Sequence, residues 1–212
     1  MLFVVYQQIV ALILNRGVVL GLLMYLFFDT ETTGLPSGPT RDYQNWPRLV
    51  QLAWLLTDDD GKVHEKHSFI VQPNGYSIPK RATDIHGIST HQAYREGIPL
   101  IQVLQQFLIG TTYTDALICH NFDFDYHVMR GEMLRSNIPN FLQGYPMVCT
   151  MKSKPVIDYC QVMRGDKKRK WPKLSELYFL LFHEEMQGAH DAFVDARACK
   201  RCFFELKRLN VI

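Results

Sequence analysis

The sequence FDTETTG occupies residues 28–34 and ends a short apolar run that begins at Tyr25. A run of this kind, over 25–30, predicts a buried central strand. Side chains alternate along a strand, so Asp29 and Glu31 leave the same face. Two neighbouring carboxylates repel each other unless a cation joins them, and oxygen ligands suit Mg²⁺ or Mn²⁺ rather than zinc. By itself, the stretch fits equally well a polar strand end that turns into a Thr/Gly loop.

A second acidic stretch, CHNFDFD at 119–125, joins a predicted buried strand at 116–119 to a predicted helix at 124–136. Open α/β folds place ligands at such strand ends, which makes Asp125 a candidate ligand. Asn121 or Asp123 also fits the ordinary structural role of a helix N-cap.

A third stretch, GAHDAFVD at 188–195, begins the helix predicted at 191–209. Asp191 is a natural N-cap, and Asp195 lies one turn further along. His190 precedes the helix, and an imidazole titrates near neutral pH, which suits proton transfer. A histidine in a loop is also commonly an ordinary surface residue.

Considered together, the three stretches supply four carboxylates and one imidazole, from Asp29, Glu31, Asp125, Asp195 and His190. Four carboxylates buried at one point are strongly unfavourable without a metal. With two divalent cations they form the clamp that hydrolyses phosphodiesters.

The remaining chain predicts a mixed sheet flanked by helices in one domain, an α/β fold. A turn signal, DDDG at 58–61, separates two strands and predicts a hairpin. The predicted strands are 25–30, 49–57, 62–71 and 116–119, and the predicted helices are 99–109, 124–136, 171–182 and 191–209.

The composition is globular, since 47% of the 212 residues are hydrophobic and 21% are charged. A net charge of +2 neither demands nor excludes a nucleic-acid partner. Five cysteines, an odd number, indicate reduced thiols in a cytoplasmic protein. Cys199 and Cys202 form a lone CxxC and are interpreted as structural thiols, because no second Cys/His pair has zinc-like spacing.

Residues 1–23 are apolar but are interrupted by Gln7, Gln8, Asn15 and Arg16. These breaks argue against a membrane span, and a positive charge in the middle argues against a signal peptide. We therefore expect Met24 to be the functional start, 24–212 to form the catalytic domain and 1–23 to be an extension. A membrane anchor is the alternative.

The three acidic stretches resemble those of the DEDDh 3′–5′ exonucleases, a family that includes the proofreading epsilon subunit of DNA polymerase III and ribonuclease T. The matching blocks are 29–34, 120–125 and the pair His190 and Asp195, five residues apart. Softer blocks are IHGI at 85–88 and WPKLSEL at 171–177. The resemblance runs from about 24 to about 206 in the family's order and spacing.

This resemblance implies a ribonuclease H-like fold, with a five-stranded mixed sheet whose second strand is antiparallel to the others. It implies that Asp29, Glu31, Asp125 and Asp195 hold two Mg²⁺ or Mn²⁺ ions and that His190 accepts a proton from the attacking water. The expected products are nucleoside 5′-monophosphates. Single-stranded DNA is the expected substrate, RNA is the alternative, and the expected setting is DNA replication, proofreading or repair.

The resemblance places Thr32, Thr33 and His86 around the terminal nucleotide, so we expect these residues to bind the substrate. Phe124 and Phe122 offer faces on which bases could stack, although phenylalanine is more often a core residue. The basic run at 167–170 fits either a nucleic-acid tether or a solvated loop. No polymerase-binding tail is recognised, so the sequence does not decide whether the protein has a polymerase partner. The alternative function is that of a nucleic-acid-binding module without catalytic activity.

Overall fold

The computed structural model of the protein describes residues 22–39, 42–165 and 169–212. Within these residues it has five strands and seven α-helices. The strands are β1 (Met24–Thr32), β2 (Leu49–Asp58), β3 (Val63–Ile70), β4 (Ala116–Cys119) and β5 (Met147–Cys149). The helices are α1 (Lys80–His86), α2 (Thr90–Glu96), α3 (Leu100–Thr111), α4 (Phe122–Arg135), α5 (Lys154–Arg164), α6 (Leu174–Phe182) and α7 (Ala192–Arg208). The expected extension at 1–23 lies outside the described residues except for its last two positions, as do Lys167 and Lys168 of the basic run.

The five strands form one mixed sheet in the order β3-β2-β1-β4-β5. β2 pairs antiparallel with both β1 and β3, while β4 is parallel to β1 and to β5. β2 therefore runs against all the others, which confirms the predicted ribonuclease H-like, α/β arrangement. The predicted hairpin is also confirmed, because Lys62 N donates to Asp58 Oδ1 at 2.9 Å and Gly61 has a φ of 84° in the turn.

The two faces of β1 are both buried, which explains why its sequence is apolar without alternation. On one face, Phe28 packs 5.1 Å from Phe107 of α3 and 5.8 Å from Phe122 of α4, between ring centroids. On the other face, Phe27 packs against Phe203 of α7 at 5.4 Å. Each fully buried phenylalanine of this kind stabilises the fold by roughly 1.5–3 kcal/mol. The sheet is therefore fixed between α3 and α4 on one side and α7 on the other.

Two of the four predicted helices begin two or three residues from the expected start, while the other two begin within one residue of it. The helix predicted at 124–136 begins at Phe122, and Asn121 occupies its N-cap position with a φ of 72° and no capping hydrogen bond from its side chain. The helix predicted at 171–182 begins at Leu174, because Lys173 is extended and occupies the N-cap position. Neither Asn121 nor Asp123 therefore acts as a side-chain cap.

Three helices, α1, α2 and α5, and a 3₁₀-helix at Tyr43–Asn45 were not predicted. A fifth strand was expected, but not its position at β5. α1 and α2 have seven residues each, which is too short for hydrophobic periodicity to stand out. α2 has a local signal all the same, since the Ser89 hydroxyl accepts a hydrogen bond from Gln92 N at 3.1 Å as an N-cap.

All five cysteines are free thiols, as expected. Cys199 and Cys202 are buried on α7, where Cys199 belongs to the cluster around Phe27 and Cys202 to a cluster with Leu177 and Leu206. Within the described part of the chain, no helix is long and apolar enough to cross a membrane.

Candidate active site

The carboxyl end of β1 carries the first two predicted ligands. Asp29 pairs with Ala53 of β2 and Glu31 pairs with Gln51, and the register shifts immediately after Glu31. This irregularity ends the regular ladder where β1 leaves the sheet, a placement common beside active sites. Because side chains alternate, Asp29 and Glu31 share the face of Phe27, which is the face that α7 covers.

Asp125 reaches the same strand end from the other face. Its Oδ1 accepts hydrogen bonds from the main-chain N of Thr30 at 3.0 Å and from the Thr30 hydroxyl at 2.7 Å. Asp125 lies in the first turn of α4 and is only 3% exposed. The site therefore straddles the end of β1, with carboxylates supplied from both sides of the sheet.

The start of α7 supplies His190 and Asp195. Asp191 caps the helix, because its Oδ1 accepts from Phe193 N at 2.9 Å and from Val194 N at 3.0 Å. His190 is exposed and has a φ of 69°, and its main-chain N donates to Asp195 Oδ2 at 3.3 Å. The N-cap role predicted for Asp191 is thus confirmed.

Gln51 on β2 fastens this helix start to the sheet. Its Nε2 donates to Asp191 Oδ2 at 3.2 Å and its Oε1 accepts from Ala192 N at 3.1 Å. Sequence reasoning missed this residue, although a buried glutamine inside the apolar run of β2 is a signal, since a buried amide needs partners.

Three of the predicted residues converge closely enough to hold a cation. One ligand atom from each of Glu31, His190 and Asp195 lies within 4.8 Å of the others. Asp195 Oδ1 is buried and has no hydrogen-bond partner within the described residues. A buried oxygen without a partner is costly unless a cation takes that place. Asp29 and Asp125 stand outside this closest group, but, in addition to burial, Asp125 raises the pKa of Glu31, and the pKa of Asp29 is raised by Asp195 and Glu31.

The electrostatics of the site show how closely the carboxylates lie. Burial, followed by the charges of Asp125 and Asp195, raises the pKa of Asp29 well above its usual value. Burial and the charge of Asp195 raise the pKa of Glu31 to about 8. Burial also raises the pKa of Asp195 and of Asp125, the latter against the hydrogen bonds from Thr30. The site holds more acidic groups than it can ionise alone, so its donor set fits divalent cations.

Thr32 and Thr33, two predicted substrate contacts, shape the turn after β1. The Thr32 hydroxyl donates to the Gly34 carbonyl at 2.7 Å. The main-chain N of Thr33 donates to the Arg48 carbonyl at 2.9 Å. The Arg48 side chain in turn pairs through Nε with Oε1 of the buried Glu132 at 2.8 Å. Arg48 and Glu132 were not predicted, and they fix this turn to α4.

His86, at the end of α1, lies near the site. Its Nδ1 accepts from Ile88 N at 3.1 Å. Burial lowers the pKa of His86, the charge of His190 adds to the lowering, and the nearby Thr32 main chain opposes it. His86 is thus placed beside both Thr32 and His190.

The two candidate stacking residues differ in their surroundings. Phe122 is buried and packs against Phe28 and Tyr126, so it is a core residue. Phe124 is half-buried, and its ring centroid lies 5.9 Å from that of Trp46.

Two sequence comparisons match most of the chain. The family model RNase_T, described as Exonuclease, matches residues 26–203. The DNA polymerase III PolC-type of Streptococcus suis is 28% identical over 151 residues, which make up 71% of this chain and 9% of that protein.

Solved structures of E. coli exonuclease I share the fold. The zinc-bound form in complex with single-stranded DNA superposes with a TM-score of 0.69 at 24% identity, over 89% of this chain and 41% of that one. The complex with a dT13 oligonucleotide gives a TM-score of 0.69 at 22% identity, over 89% and 42%. The chain therefore spans less than half the length of each of these proteins.

Proposed function

The chain belongs to the RNase_T exonuclease family, and from this premise we propose that it is a metal-dependent 3′–5′ exonuclease. It hydrolyses the terminal phosphodiester of a single-stranded DNA and releases nucleoside 5′-monophosphates. The observation that carries the proposal is the convergence of Glu31, His190 and Asp195 within 4.8 Å, beside Asp29 and Asp125. The exonuclease domain comprises residues 24–212.

Asp29, Glu31, Asp125 and Asp195 would hold two divalent cations, Mg²⁺ or Mn²⁺. When bound, such cations activate water and neutralise the charge that develops on the phosphate. The partnerless Asp195 Oδ1 and the raised carboxyl pKa values support this assignment. Oxygen ligands are also the ones these cations prefer.

His190 accepts the proton from the attacking water. Its ring is exposed, and the hydrogen bond from its main-chain N to Asp195 holds it next to a proposed ligand. Histidine is the side chain that most often acts as a general base in enzymes. Thr32, Thr33, His86 and Phe124 border the terminal nucleotide.

DNA is the proposed substrate, with RNA as the alternative. The structures of E. coli exonuclease I were solved with dT13 and dA16 oligonucleotides, which supports a DNA strand. The likeness to a PolC-type polymerase supports a role in proofreading or repair, with a polymerase as partner. The free cysteines support a reducing, cytoplasmic setting.

The decisive experiment follows the fate of labelled ends. Single strands of DNA and RNA, labelled at either end, are incubated with Mg²⁺, Mn²⁺ or EDTA. Stepwise shortening from the 3′ end, abolished by EDTA and by Asp29→Asn, is the expected result. Asp60→Asn, in the exposed turn before β3, is the matched control and keeps activity. A folded protein that shortens neither polymer overturns the proposal.

A further inference from the structure

Trp171 differs from the other two tryptophans of the chain. Trp46 and Trp54 are buried, whereas Trp171 is 59% exposed. Its indole borders an open cavity of about 480 Å³ together with Lys154, Ile157 and Arg169. An exposed indole beside a cavity offers an aromatic face on which a flat ligand group can stack.

This ring lies at the same edge of the sheet as the candidate active site. His120, which directly follows β4, donates from Nε2 to the Pro172 carbonyl at 3.0 Å and so anchors the residue next to Trp171. Lys152 Nζ lies 4.9 Å from the centroid of the Trp171 ring and pairs with Asp123 Oδ2 at 2.6 Å. Asp123 stands two residues before Asp125. A short series of contacts therefore joins the exposed ring to Asp123, in the same first turn of α4 as Asp125.

The surroundings of Trp171 carry more positive than negative charge. Lys154 and Arg169 share the single carboxylate of Asp158. Lys170 and Arg164 similarly share the carboxylate of Glu176.

Most of these pairs are solvent-exposed, and exposed ion pairs contribute little stability. Lys152, Lys154, Arg169 and Lys170 can therefore exchange their carboxylate partners for phosphates at little cost. A phosphate backbone favours clustered lysine and arginine side chains of this kind.

We propose that Trp171 is a second contact for the substrate strand, on which a base upstream of the scissile phosphodiester stacks. The surrounding cations, Lys152, Lys154, Arg169 and Lys170, contact the neighbouring phosphates. Stacking on an aromatic ring tolerates any base, which suits an enzyme that must move along a strand of any sequence. This inference rests on the proposed function, because it assigns a further contact to the same substrate.

Binding can be measured without hydrolysis. Intrinsic fluorescence is recorded in EDTA while dT15 is added, and binding of labelled dT15 is followed in parallel by anisotropy. Because Trp46 and Trp54 are buried, stacking on Trp171 is expected to quench the emission of the exposed tryptophan. Trp171→Ala should raise the Kd for dT15 by roughly five- to 150-fold, the range found when stacking aromatics are replaced by alanine. Trp171→Phe keeps an aromatic ring, so its Kd for dT15 should rise less than that of Trp171→Ala.

Tyr113→Ala is the matched control. Tyr113 is 46% exposed and precedes the amino end of β4, at the sheet edge opposite the site. Its Kd and its quenching by dT15 should equal those of the wild type. The melting temperatures of the Trp171 variants should also equal that of the wild type, because the ring is exposed.

Strand length separates this inference from the proposed function. With Mg²⁺ present, the loss of kcat/KM in Trp171→Ala should be large for dT15 and should shrink as the strand is shortened towards a dinucleotide. Quenching by dT15 without any hydrolysis would support the Trp171 contact and overturn the proposed activity. Normal hydrolysis with no quenching, and with an unchanged Kd in Trp171→Ala, would overturn the contact and leave the activity standing.

Discussion

Gln51 Nε2 donates to Asp191 Oδ2 across 3.2 Å, and this bond joins β2 to the first turn of the helix that carries Asp195. The same side chain accepts from Ala192 N, so both its polar atoms are used on one helix start. Since His190 and Asp195 flank this turn, Gln51 sets where they stand relative to Glu31. Gln51 is therefore a positioning residue for the site.

Gln51→Leu is expected to reduce kcat by about ten- to a hundredfold, because a displacement near 1 Å of positioned groups has effects of this size. The leucine also leaves Ala192 N buried without a partner, which costs about 1–3 kcal/mol in the free energy of unfolding. KM should change little, since Gln51 does not touch the proposed substrate. Gln106→Leu, exposed on α3, is the control, and wild-type kcat in Gln51→Leu would contradict the positioning role.

Thr30→Val is expected to move the acidic limb of the pH profile of kcat/KM to higher pH. The Thr30 hydroxyl donates to Asp125 and thereby lowers the pKa of that carboxyl. Valine has the same shape without the donor, so the pKa of Asp125 rises and ionisation requires a higher pH. Thr30→Ser retains a hydroxyl and should restore the profile. An unchanged profile in Thr30→Val would show that the ionisation of Asp125 does not limit the reaction.

His190→Ala is expected to reduce kcat by about a hundred- to ten-thousandfold, the usual contribution of a general base. The four carboxylates remain, so Mg²⁺ should still raise the melting temperature. Loss of both activity and this Mg²⁺ effect would instead make His190 a cation ligand, an arrangement its distance from Glu31 and Asp195 allows. His91→Ala, exposed on α2, is the matched control.

The melting temperature of the metal-free protein should fall as the pH rises. The folded-state pKa of Glu31 is about 8, against an ordinary value of 4.5, and that of Asp29 is raised as well. Between pH 4.5 and about pH 8, the two pKa values of Glu31, the folded state binds more protons than the unfolded state. Raising the pH within this range therefore destabilises the fold. Glu31→Gln should flatten the dependence.

Mg²⁺ should therefore stabilise the protein more at pH 8 than at pH 5. Protons compete with the cation for the same carboxylates, and competition weakens as the pH rises. Melting curves with Mg²⁺ and with EDTA at both pH values measure this difference. Equal stabilisation by Mg²⁺ at the two pH values would argue that the carboxyl groups with raised pKa values do not hold the cation.

The sequence predicted the sheet well because its strands are long apolar runs separated by strong turn signals. DDDG at 58–61 predicts the hairpin, and the alternation of side chains along a strand predicts that Asp29 and Glu31 share one face. The helices α1 and α2 were not predicted because seven residues carry too little hydrophobic periodicity. The position of β5 was not predicted because this strand has only three residues.

Local sequence patterns predict the candidate ligands of the site but not the hydrogen bonds that position them. Asp29, Glu31, Asp125, Asp195 and His190 could be proposed from their local stretches. The bonds from Gln51 to Asp191 and from Thr30 to Asp125 could not, since 140 and 95 residues separate the partners. Contacts of this range arise from the packing of helices on the sheet, and no local pattern encodes them.

α7 follows every other described element in the chain, yet it packs against β1 and β2 and delivers His190 and Asp195 to residues near the amino end. During synthesis on the ribosome, β1 and α4 emerge long before α7. A nascent chain therefore holds an incomplete cluster until α7 docks. The repulsion that Asp195 adds, and the complete set of candidate ligands, would therefore arise only after α7 has been translated.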